Sequence, residues 1–151
     1  MSGPDPRARR LIVGVGNPSR GDDAVGPLAV ERLAALNLPD LELLTDFQLQ
    51  VEYLLDMADR DLVVFVDATV DPRVRDFAFT PLRPERDNSF SSHELSPQAV
   101  LAAYERHYRA PPPPSFALAI RGHGFELGEG LSPETAAGLE AALADLVRRL
   151  G

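Results

Sequence analysis

The chain has 151 residues, 44% of them hydrophobic and 25% charged, enough for one domain with a buried core. Its formal net charge of -8 argues against nucleic acid or an anionic membrane surface as partner. It contains no cysteine, and all 15 basic residues are arginine, which excludes a thiolate nucleophile, Cys-ligated zinc, an iron–sulfur cluster, a Schiff-base lysine and a P-loop lysine.

Residues 1–8 (MSGPDPRA) read as a disordered tail ahead of a single domain over 9–151. Arg7, Arg9 and Arg10 form a small basic cluster, but the apolar run behind them is too short for the core of a signal peptide. No segment approaches the ~20 apolar residues of a membrane span, so a cytoplasmic protein is expected. Leu11–Val15 is a continuous apolar run, the mark of a strand buried on both faces. From about Asp23 to Leu36, Val25, Leu28, Ala29, Leu33 and Leu36 recur at helical spacing, with Pro27 tolerable in the first turn. Leu41–Leu44 reads as a second strand ending at Thr45-Asp46, and Val51–Met57 as a short helix. The run from Asp61 to Ala68 is a third strand rich in β-branched and aromatic residues.

Beyond it, Asp76–Leu82 reads as a strand and Pro84–Ser92 as a polar loop. Ser96-Pro97 opens a helix running to about Tyr108, and the prolines 111–114 make a stiff connector. Ser115–Ile120 is the last strand and Arg121–Leu131 a glycine-rich loop. Ser132-Pro133-Glu134 opens a final helix whose buried stripe is Leu139, Leu143, Leu146 and Leu150. This alternation predicts an α/β fold, an open three-layer α/β/α sandwich around a mostly parallel, twisted sheet. In such sheets the first and third strands commonly adjoin, and ligands bind beyond their carboxyl ends. The turn carrying Asp22 and Asp23 is therefore expected beside the end of the third strand, which carries Asp67.

Two carboxylates brought together either share a proton or hold a cation between them. Asp22 alone reads as a charge favouring a helix N-terminus, and Asp22→Asn is expected to cause a milder loss of activity than changes at the crevice ligands, through loop geometry. Of the three histidines, His107 lies in an Arg- and Glu-rich helix end and reads as solvated. Position alone leaves His93, just before the Ser96 cap, and His123, just past the last strand, level as crevice ligands. Imidazole with carboxylates suits nickel, zinc or manganese, and three protein ligands leave coordination positions open for a substrate. A rival reading is a nucleotide- or dinucleotide-binding domain using Gly14-Val15-Gly16, with Asp46 on a ribose hydroxyl. Against it, Ser19 replaces the third glycine and Asp22 and Asp23 face the phosphate position. A serine hydrolase using Ser91 or Ser92 with His93 is disfavoured, because no G-x-S-x-G elbow is present.

GNPSRGDDAVG after the first strand, VVFVDA in the third, SSHEL before a helix and FELGEGLSP before the last helix together resemble the hydrogenase maturation proteases. These endopeptidases trim the C-terminus of the nickel–iron hydrogenase large-subunit precursor. The resemblance covers roughly residues 9–150 and implies a triad of Asp23, Asp67 and His93, acting both as metal ligands and as catalytic residues. The nickel is implied to arrive with the precursor, and another divalent metal is a possible occupant of the isolated protein. At 46-DFQLQ-50 the chain departs from the Gly-Gly-Thr type loop of some branches and is similar to branches associated with soluble, cofactor-linked hydrogenases. The expected partner is thus a hydrogenase large-subunit precursor. A monomer is expected, since no apolar stripe is left over for a second copy.

Overall fold

The computed structural model describes residues 7–86 and 95–151. Five strands, β1 (Arg10–Val15), β2 (Leu41–Asp46), β3 (Leu62–Thr69), β4 (Phe77–Pro81) and β5 (Ser115–Arg121), form one sheet in the order β2-β1-β3-β5-β4. β1 pairs in parallel with β2 and β3, and β3 with β5; β4 alone runs antiparallel, on the edge beside β5. Its Pro81 is admissible there, because an edge strand can spare a backbone donor.

Four helices cover the sheet: α1 (Val25–Ala35), α2 (Tyr53–Met57), α3 (Pro97–Tyr108) and α4 (Pro133–Leu150). The pleat divides the central strands between two cores. Ile12, Val64, Val66, Leu118 and Ile120 pack with Val25, Ala29 and Leu33 of α1 and Leu139, Leu143 and Leu146 of α4. Leu11, Val13, Val15, Val63 and Phe65 point the other way, onto Leu54 and Met57 of α2 and Val100, Leu101 and Tyr104 of α3. A strand whose alternate residues are both buried must read as an unbroken apolar run, and β1 and β3 do. The expected sandwich and the α4 stripe are both present, with Leu150 packed at the margin.

Several boundaries differ from the sequence reading. Gly21–Ala24 forms a 3-10 turn, and α1 begins only at Val25; Leu36, expected on the buried stripe, caps the helix and is 54% exposed. β3, read as Asp61–Ala68, runs from Leu62 to Thr69, one residue further, because β5 keeps pairing with it, Asp67 opposite Ala119 and Thr69 opposite Arg121. Arg7 and Ala8, at the end of the stretch read as tail, bond to the domain. The Arg7 guanidinium donates to the Leu55 carbonyl at 2.6 Å, and Ala8 accepts from buried Arg60 at 2.7 Å. Among the described residues, no helix is long and apolar enough to cross a membrane.

Gly14 and Gly26 allow α1 to lie against β1 and β3. A Cβ on Gly14 would run into the Gly26 carbonyl, and one on Gly26 into the carbonyl of Val15, with that of Val66 at 2.7 Å. The first glycine of the apparent dinucleotide fingerprint is thus explained by backbone packing. Its second, Gly16, has φ +146°, and a Cβ there would strike the Asp23 carbonyl.

Candidate functional site

A cleft of about 400 Å³ opens at the carboxyl ends of β1 and β3, the place the parallel order of the sheet selects. Asp23 and Asp67 both line it, with Val15, Gly16, Phe47, Leu49, Val70, Phe125 and the start of α3 at Leu95-Ser96-Pro97. Asp23 comes from the 3-10 turn after β1, and Asp67 from β3, the strand next to β1. The two aspartates that the sequence reading put at neighbouring strand ends thus line the same cleft.

Asp23 is held by its own loop. Its Oδ2 accepts the Asn17 N–H at 2.8 Å, while the Asn17 side-chain oxygen accepts the Ser19 N–H at 2.9 Å. The N–H group that a phosphate would seek in this turn is therefore already bound to a carboxylate. Asp67 is exposed, and its Oδ1 accepts the Ala68 N–H at 2.8 Å. Phe47 and Val70, 63% and 67% exposed, stand on the cleft wall.

His93, Ser91 and Ser92 lie outside the described residues. Among the described residues, no three His, Cys, Asp or Glu side chains are grouped to hold a metal. The oxygen donors of Asp23 and Asp67 are chemically suited to nickel, zinc or manganese and need one further ligand to complete the set read from the sequence. His123, level with His93 by position, is exposed and does not line the cleft; its role here is through its backbone. His107 is exposed at the end of α3, as expected.

Asp22 differs most from its sequence reading. It is 0% exposed and points away from the cleft, towards the start of α4. Its Oδ2 accepts the N–H groups of His123 at 2.7 Å and Gly124 at 2.9 Å and the hydroxyls of Ser132 and Thr135, each at 2.8 Å. Its Oδ1 accepts the Ser132 N–H at 2.8 Å. Asp22 is thus a buried hub joining three chain segments, and its reading as a simple helix-terminal charge is corrected. The sequence carried one half of the signal, the Ser132-Pro133 helix opening, but nothing local to Asp22 named its partners.

Burial by itself pushes the Asp22 carboxyl up, but the hydrogen bonds from His123, Ser132, Thr135 and Gly124 outweigh it and hold the pKa at about 2. A carboxyl held below its unfolded value stabilises the fold fully above the unfolded pKa, near 3.8, and loses that contribution as pH falls towards 2. The stability gap between the wild type and Asp22→Asn, measured by urea unfolding, is therefore expected to shrink by roughly 2 kcal/mol between about pH 5 and about pH 2.

The loop after β2 is also organised by a carboxylate. Asp46 accepts the Phe47 N–H at 2.7 Å and the Tyr53 hydroxyl at 2.9 Å, and its carbonyl accepts the Gly16 N–H at 3.0 Å. Burial and the Asp46 carboxylate push the Tyr53 pKa up to about 12. Asp46, the best support for a ribose contact, is thereby engaged in fixing Phe47 on the cleft wall. The rival nucleotide reading loses both its glycine turn and its acidic residue to ordinary structural roles.

No protein-family model matches the sequence. Over 149 residues, 94% of this chain and 90% of the relative, it is 32% identical to the hydrogenase 2 maturation protease of Escherichia coli (strain K12). Among solved structures, the hydrogenase maturating endopeptidase HybD from E. coli aligns with a TM-score of 0.76 at 28% identity, over 94% of this chain and 91% of that one. The NiFe hydrogenase maturation protease HycI from Thermococcus kodakarensis KOD1 aligns with a TM-score of 0.71 at 26% identity, over 94% and 92%.

Proposed function

We propose that this chain, which belongs to the hydrogenase maturation protease family, is an endopeptidase that removes the C-terminal extension from the nickel-loaded precursor of a nickel–iron hydrogenase large subunit. The observation that carries this reading is the meeting of Asp23 and Asp67 in one cleft at the carboxyl ends of adjacent parallel strands. His93 is assigned as the third ligand. Its support is the motif it stands in, SSHEL ahead of α3.

In this reading nickel belongs to the substrate. The precursor presents a metal with open coordination positions, and Asp23, Asp67 and His93 fill them. Their carboxylate and imidazole donors gain binding energy only from a loaded precursor, so an empty one is passed over. Binding at the metal holds the adjoining chain in the cleft, between the walls at Phe47, Val70 and Phe125, where water attacks the scissile peptide. The aspartates are suited to this because each is oriented by a backbone N–H, from Asn17 and from Ala68, before any substrate arrives.

The test is to incubate the protein with candidate large-subunit precursors and weigh the products. Loss of one C-terminal fragment of defined mass from one precursor is expected. If every nickel-loaded precursor of the source organism keeps its full mass, the proposal is wrong.

A further inference from the structure

Asp22 does not line the cleft, yet two parts of the cleft wall depend on its position. The loop after β5 is fastened to the turn after β1 all around this residue. The Asp22 N–H donates to the Gly124 carbonyl at 2.7 Å, and the Gly128 N–H donates to the Ser19 carbonyl at 2.8 Å. Gly21, at φ +52°, sits so near this loop that a Cβ would lie 2.6 Å from the Gly124 carbonyl oxygen. A Cβ on Gly122 would lie 2.5 Å from the Phe125 ring and 3.2 Å from the Asp22 side chain, so ring, loop and carboxylate are packed together. Phe125 is in turn a cleft residue. On the other side of the Asp22 backbone is Asp23, whose N–H donates to the Arg20 carbonyl at 3.0 Å.

We propose that Asp22 is a positioning residue of the cleft: by holding the loop after β5 and the start of α4, it sets Phe125 as one wall and fixes the direction of Asp23. A carboxylate suits this task, because it accepts from every side and the surrounding groups here are donors: the N–H groups of His123, Gly124 and Ser132 and the hydroxyls of Ser132 and Thr135. Asparagine keeps the shape but turns an N–H₂ group towards some of those donors, so the loop must shift to relieve the conflict. The effect on cutting rests on the protease reading above; the effect on the loop rests on the hydrogen bonding alone.

Two readouts keep these apart. The chain has no tryptophan, so Phe125→Trp introduces a single emitter on the cleft wall. In that background Asp22→Asn is expected to raise acrylamide quenching severalfold. In the Phe125 background Asp22→Asn is expected to lower kcat for precursor cutting about a hundredfold, the scale of an ångström's misplacement, in protein that is still folded by circular dichroism. Thr135→Val and Ser132→Ala, each removing part of the hub, show smaller changes of the same kind and serve if Asp22→Asn does not fold. Leu146→Ala, in the core under α4, lowers the melting temperature without changing quenching or kcat. Unchanged quenching with wild-type kcat in all three hub variants overturns the proposal, as does an equal effect from Leu146→Ala. If the wild type cuts no precursor, the protease reading fails, and quenching alone decides the positioning role.

Discussion

Asp67→Asn is expected to slow precursor processing by about a thousandfold or more, the scale of removing a group that acts chiefly in the transition state. Asp23→Asn and His93→Ala are expected to do the same. The amide retains an oxygen for the Ala68 N–H, or in Asp23→Asn for the Asn17 N–H, so the loops around the cleft keep their anchor. What is lost is the negative charge and one of the two carboxylate oxygens that suit a divalent metal. Melting temperatures within a few degrees of wild type, together with full-length precursor in a mass-resolved time course, are the expected result. His107→Ala, on an exposed helix end, should process normally. Wild-type rates from all three site variants would remove the basis of the assignment.

Asp22→Ala is expected to be the most damaging of the stability variants, at about 3–5 kcal/mol by urea unfolding, because it leaves several buried donors without an acceptor. The groups it serves come from residues 123, 124, 132 and 135, more than a hundred positions along the chain. The hydroxyls of Ser132 and Thr135 keep acceptors in the Thr135 hydroxyl and the Arg121 carbonyl, so the loss falls on the N–H groups of His123, Gly124 and Ser132. A loss near 0.5 kcal/mol, the scale of a helix-terminal charge, would return Asp22 to its sequence reading.

The contrast between these two aspartates shows what was legible in the sequence. β1 and β3 are buried on both faces, and that burial demands the apolar runs seen at Leu11–Val15 and Leu62–Val66. Their adjacency follows from fold rules, so the pairing of Asp23 with Asp67 in one cleft could be expected before the fold was known. Asp22 has a plain local explanation in the helix that follows it, and its real partners are set by tertiary packing, which no spacing rule carries. The same holds for Phe125: the glycine-rich stretch reads as a loop, but only its packing against Gly122 makes it a wall. Gly14 misled in the opposite sense. It gave the rival nucleotide reading its first support, while the structure uses it for close approach to Gly26, twelve positions on and on the inner face of α1. The antiparallel edge of β4 was equally hidden, since a short strand with a terminal proline pairs in whichever direction its connection allows.

The proposed function requires that the protein read a metal carried by its substrate. The most direct measurement takes one precursor in two forms, nickel-loaded and metal-free, and follows the mass of each during incubation with the wild-type protein. The loaded form is predicted to lose its C-terminal segment while the empty form stays whole. Equal cutting of both forms would contradict the account.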